Sequence, residues 1–192
     1  MVNTEKIVEP KSATYAVAKD FCRIFEQDMN RLYLLSLLLT ADHTKAQQCF
    51  VGGLQDSSRS QRVFQEWAHS WARRMVIQSA IQLMYPRAAG SDAASGRADR
   101  AAERVEIAAV LDLPVFERFV FVLSVLERYS DQDCALLLGG TRGEVVAART
   151  RALQQIARAA ETYRTTRDSR ETVPEVALAM RIESVPLLAT LP

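Results

Sequence analysis

Histidine and cysteine are scarce in this chain, two of the first and three of the second in 192 residues. Cys22, Cys49 and Cys134 are far apart, odd in number and without CxxC or histidine spacing. That excludes a disulfide framework and a zinc site and leaves three free thiols, read as buried. His43 and His69 stand alone, no glycine-rich phosphate loop follows a strand and no GxSxG occurs, so the sequence carries no enzyme site. Long apolar runs are missing too. The longest, Leu32 to Leu39, is interrupted by Ser36 and falls far short of the roughly 20 residues that cross a bilayer. The opening MVNTEKIVEPKS has no basic-then-apolar export pattern, which predicts a cytoplasmic protein without membrane insertion. Charge of one sign is also lacking. The formal net charge is +1, with ten basic against eight acidic residues up to Pro86 and fourteen against fifteen after it. Phosphate neutralisation supplies most non-specific DNA affinity, so this balance is weak for a free-standing DNA binder and better suited to one that meets DNA inside a larger complex.

What is present is helical. Hydrophobic residues make up 48% of the chain and charged residues 24%, which fits one ordinary globular domain or two small ones. Residues 1–13 are polar and read as a loose arm. Val17, Phe21, Ile24, Phe25, Met29 and Leu32 recur at three- and four-residue steps and predict one long helix. Its last part, LYLLSLLL, must be buried on most sides. Thr40-Ala41-Asp42 stops it, and Asp42 is the N-cap of a second helix through Ala46, Cys49, Phe50 and Leu54. Gly52 and Gly53 cost that helix about 1 kcal/mol each relative to alanine, so they weaken it or end it early. Asp56 to Ser60, DSSRS, reads as a loop. Val63, Phe64, Trp67, Ala68, Trp71, Ala72, Met75 and Ser79 then mark one face of an amphipathic helix ending before Pro86, with both tryptophans on the buried stripe.

The most informative stretch is 111–157. Pro114 opens a helix whose apolar stripe is Phe116, Phe119, Val120, Leu123 and Leu126. Ser130 and Asp133 form a capping pair for a short helix that Gly139-Gly140 can end at positive φ. Thr141 and Glu144 form a second capping box, starting a helix at Arg142 that runs past Ile156 with Val145, Ala148 and Ala152 inward. This is helix-turn-helix spacing, in which the third element enters the major groove.

With its leucine-proline, tyrosine-serine step, ALLLG turn and Val145…Arg151-Ala152 helix, this stretch resembles region four of bacterial sigma factors, more narrowly the two-domain extracytoplasmic function group. LYLLSLLLTADHTKAQQCF followed by WAHSWARRMVIQSAI resembles region two of the same family. The resemblance implies an all-α fold of two small helical domains: residues 14–86, a flexible linker at 87–102, a helix-turn-helix domain at 103–163 and a tail at 164–192. The linker segment RAAGSDAASGRADRA is small, polar and glycine-containing. In the tail, Val176, Leu178, Ala179, Ile182 and Val185 suit a short amphipathic helix, either packed back on the second domain or docking to a partner.

By resemblance the partners are RNA polymerase core and promoter DNA, and an anti-sigma factor is a further one the family admits; no cofactor is implied. Arg73 and Arg74 stand where the family contacts the melted promoter strand. Arg142, Arg149 and Arg151, with Thr141 at the helix N-terminus, are the candidates for duplex DNA, and the N-terminal amides suit a phosphate. Gln47, Gln48 and Val51 fall on the surface that grips polymerase. Here the chain departs from the family: Gln48, Val51 and Gly52 replace an aspartate, a glutamine and a glutamate, and Val146 and Ala148 replace a lysine and an arginine aimed at DNA. These departures carry a second expectation, a sigma-like protein acting as an interaction or regulatory module without promoter recognition. A plain helix-turn-helix regulator working without polymerase is a third.

Overall fold

The computed structural model describes residues 14–60, 62–85 and 105–171, and among them every regular element is helical. The expected arm at 1–13, linker at 87–102 and short helix around 176–185 lie outside the described residues.

The long first helix is divided. Helix α1 spans Ala18–Gln27 and α2 spans Met29–Thr40, with Asp28 between them at φ −101° and ψ 18°. The amide of Asp28 still donates to Ile24 and that of Leu32 to Asp28, each at 2.9 Å, so the break is a bend in a nearly continuous ladder. Val17 precedes the first turn and Met29 follows the bend; both leave the expected apolar face and are exposed. The leucine-rich part behaves as its composition demands. Leu32 and every residue from Leu35 to Thr40 are buried, and the hydroxyls of Ser36 and Thr40 donate to Leu32 and Ser36 carbonyls at 2.9 and 2.8 Å, satisfying polar groups that would otherwise be costly there. Ala41 closes the helix in the left-handed region, and the Asp42 side chain accepts from the Lys45 amide at 2.8 Å.

Helix α3, His43–Arg59, runs through both glycines and through most of DSSRS. The glycines do not end it because they lie where it crosses the next helix. A Cβ on Gly53 would stand 3.0 Å from the Val76 Cα and 3.1 Å from its amide nitrogen, so the missing side chain sets how closely the two helices approach. Ser57 stays helical and returns its hydroxyl to the Gly53 carbonyl at 2.7 Å, while Ser60, in extended backbone just past the helix, caps it by donating its hydroxyl to the Asp56 carbonyl at 2.8 Å. Helix α4, Ala68–Met84, follows a 3₁₀ turn at Gln65–Trp67. Because Trp67 belongs to that turn, it falls out of phase with the helix and is 59% exposed, which corrects the expectation that both tryptophans are core. Trp71 is half-buried and donates its indole N–H to Ser60 Oγ at 2.9 Å.

The second group comprises α5 (Val105–Leu111), α6 (Val115–Phe121), α7 (Asp131–Leu138) and α8 (Arg142–Glu171). Pro114 caps α6 from just outside it. A π turn continues α6 over Val122–Leu126, and the Glu127 amide donates to Val122 at 2.9 Å. The extra residue shifts the helical phase, which is why Phe116, Phe119, Val120 and Leu123 are buried while Leu126, expected on the same stripe, is exposed. Ser130 accepts from the Asp133 amide, Gly139 ends α7 at φ 66°, and Val145, Ala148 and Ala152 of α8 are fully buried. Helix α8 runs well beyond 163, the expected end of the second domain.

The two groups share one core. Helix α2 packs against α1, α3 and α4 on one side and against α5 and α6 on the other, which accounts for a helix apolar nearly all round. At the junction sits Arg118, 2% exposed.

Candidate nucleic-acid interface

The helix-turn-helix is built from short-range chemistry. At the start of α8, Thr141 donates its amide and its hydroxyl to Glu144 Oε2 at 2.7 and 2.8 Å, and the Glu144 amide returns to Thr141 Oγ1 at 3.2 Å. These bonds from Thr141 hold the Glu144 carboxyl below its ordinary pKa. Thr141 thus acts as a cap, and the carboxylate beside it occupies ground that a phosphate would otherwise share. On the outer side of α8, Arg142, Val146, Ala147 and Thr150 are exposed.

The other two arginines of this helix are engaged within the fold. Both terminal nitrogens of Arg149 donate to the carboxylate of Asp131, in the first turn of α7. Arg151 donates to Glu117 of α6 at 2.5 Å. Together they brace α8 against its two neighbours and leave Arg142 as the arginine of the predicted set that projects from the start of α8 to solvent. Sequence spacing locates these arginines but not their acidic partners, which lie 18 and 34 residues away.

Arg73 and Arg74 are adjacent and exposed on α4, and they face the second group of helices. Arg73 Nε lies 3.6 Å from Glu127 Oε2, just past the π turn. Arg74 is close enough to Tyr129 to pull its phenol pKa down, against the larger upward effect of burial. Arg73 also lines an open cleft of about 220 Å³ with Ile24, Asp28, Arg31, Leu32, His69 and Ser70. His69 Nδ1 stands 3.1 Å from Asp28 Oδ2 there. Just before α4, Tyr15 stacks on Phe64 with ring centres 5.0 Å apart, and Trp67 meets Phe64 edge-on at 5.2 Å.

Gln47, Gln48 and Val51 are exposed along α3, forming an uncharged strip. Hydrogen bonding and apolar contact are therefore available there, without the charge assistance of a carboxylate.

Sequence reasoning missed Arg118, a buried cation held at all three nitrogens of its guanidinium. Its Nε donates to the Leu39 carbonyl at 3.1 Å, and one terminal nitrogen donates to Leu111 and Leu113 at 3.2 and 3.0 Å; the other reaches Thr40 at 3.5 Å. The signal was its register: Val115, Phe121 and Val122 share its side of the helix at three- and four-residue steps, so an arginine sits on an apolar face.

Among the described residues no helix is long and apolar enough to cross a membrane, and no three histidine, cysteine or acidic side chains are grouped to hold a metal ion. No protein-family model matches the chain, and no curated protein matches it.

Proposed function

We propose that this protein is a sigma-like transcription initiation subunit that works in the cytoplasm, joining RNA polymerase core to promoter DNA without covalent chemistry. The observation that carries the reading is the capped helix-turn-helix, with Gly139 at positive φ between α7 and α8 and Arg142, Val146, Ala147 and Thr150 on the outer side of α8. In this reading that surface meets duplex DNA, Arg73 and Arg74 meet the melted strand, and Gln47, Gln48 and Val51 contribute to the polymerase contact. A near-neutral chain suits such a role, because polymerase supplies most of the backbone affinity.

One observation favours a second reading, an interaction module without promoter recognition. Arg149 and Arg151 are held by Asp131 and Glu117, and the α3 strip carries no charge. The readings separate in one experiment: pull-down of core polymerase by the purified chain, then transcription from genomic promoter fragments by the assembled complex. Specific transcripts that weaken with Arg142→Ala support initiation. Polymerase binding without specific transcripts supports the second reading, and failure to bind core refutes the first.

A further inference from the structure

The outer face of α8 carries almost no side chain able to hydrogen-bond a base edge. Gly143, Val146, Ala147 and Thr150 recur there at three- and four-residue steps, on the side away from the buried Val145, Ala148 and Ala152, and all four are exposed. A Cβ on Gly143 would meet nothing within 4 Å, so the face is open from its first turn. The Thr150 hydroxyl donates to the Val146 carbonyl at 3.0 Å, which turns it back along the helix and leaves the γ-methyl as apolar surface. Charged residues beside this face are engaged within the fold: Glu144 with Thr141, Arg149 with Asp131 and Arg151 with Glu117. Arg142, at the start of the helix, is the exception.

In the major groove, arginine or lysine selects guanine and asparagine or glutamine selects adenine. Gly143, Val146, Ala147 and Thr150 offer none of these groups. What they can contact is the apolar group displayed on the groove floor, the C5-methyl of thymine. Their small size also lets the helix backbone come close to the base pairs. We infer that α8 reads its duplex by methyl contact: Val146, Ala147 and Thr150 pack on neighbouring thymine methyls, and Arg142 supplies the single guanine contact at the border. The inference rests on the duplex-DNA reading of the helix-turn-helix and gives that site its sequence class, a thymine-rich duplex.

The test uses the full chain together with core polymerase and a randomised duplex pool, with core polymerase alone as background. Sites enriched by the complex should be rich in thymine. Replacing those thymines one at a time by deoxyuridine, which lacks only the methyl, should weaken binding about two- to fivefold at each contacted position. Uracil also alters the duplex itself, so the variants decide. Thr150→Ser keeps the hydroxyl and removes the methyl; it should weaken binding and abolish the uracil penalty at one position while leaving the others. Val146→Ala should do the same at a second position. Arg142→Ala should relax the preference for guanine and leave every uracil penalty in place. The absence of any uracil penalty, or penalties unchanged by both Thr150→Ser and Val146→Ala, would overturn methyl readout and leave the duplex-DNA reading standing. A pool showing no enrichment over core alone would discard that reading, and this inference with it.

Discussion

The α3–α4 crossing allows three glycines in helices to be ranked before any is mutated. Gly→Ala in a helix interior gains about 0.5–1 kcal/mol from reduced backbone freedom. At Gly53 that gain is opposed by contact with Val76: the new methyl would lie 2.8 Å from a side-chain carbon and 3.0–3.1 Å from backbone atoms of a buried residue. A backbone cannot rotate away, so α4 must shift, and overpacking of this kind costs about 1–3 kcal/mol. The net expectation for Gly53→Ala is destabilisation of about 1–2 kcal/mol. At Gly52 the obstacle is Ser79 Oγ at 2.6 Å, which can move by rotating one bond. Gly52→Ala should therefore lie between neutral and mildly stabilising. Gly143, in the first turn of α8, has nothing within 4 Å of the added carbon, and Gly143→Ala should stabilise by up to about 1 kcal/mol. Urea denaturation with a common slope measures all three. In thermal melts each kcal/mol corresponds to about 2–4 °C for a chain of this size. Equal stabilisation by Gly53→Ala and Gly143→Ala would refute the argument that α3 is glycine-bearing because α4 approaches so closely.

Further outcomes follow from the polar contacts. Thr141→Ala should cost about 1 kcal/mol by removing the cap of α8, and it should also flatten the acid limb of a stability–pH curve. Glu144 has a lowered folded pKa relative to 4.5, so its contribution is full above the unfolded value and lost as pH falls through the folded one. Arg149→Ala should destabilise more than Arg151→Ala in chemical denaturation, because Arg149 makes a two-toothed contact and is 32% exposed against 55%. At neutral pH a maleimide should label Cys22 in the native chain and all three cysteines after unfolding. Cys49 and Cys134 are buried, and burial followed by Asp131 and Asp133 pushes the Cys134 thiol up to about 11. Native labelling of Cys134 at the rate of Cys22 would contradict that environment.

The sequence by itself determined the local features. Asp42, Ser130 and Thr141 start helices where their short polar side chains reach amides two or three residues on, and Gly139 ends one because it tolerates positive φ; both effects lie within a single turn. The inward faces of α6 and α8 were legible for the same reason, through their period. Periodicity also implied that α2 is buried nearly all round, although not by what. Tertiary structure decided the remainder. Gly52, Gly53 and Ser57 stay helical because a neighbouring helix and a returned hydroxyl bond outweigh local propensity. Trp67 and Leu126 leave their expected faces where a 3₁₀ or π turn changes the phase. The roles of Arg73, Arg149 and Arg151 turned on carboxylates 18 to 54 residues distant, and that of Arg118 on carbonyls in a helix nearly 80 residues before it. Spacing along a chain encodes contacts within a few turns; which charge meets which across a core is fixed only when the helices pack.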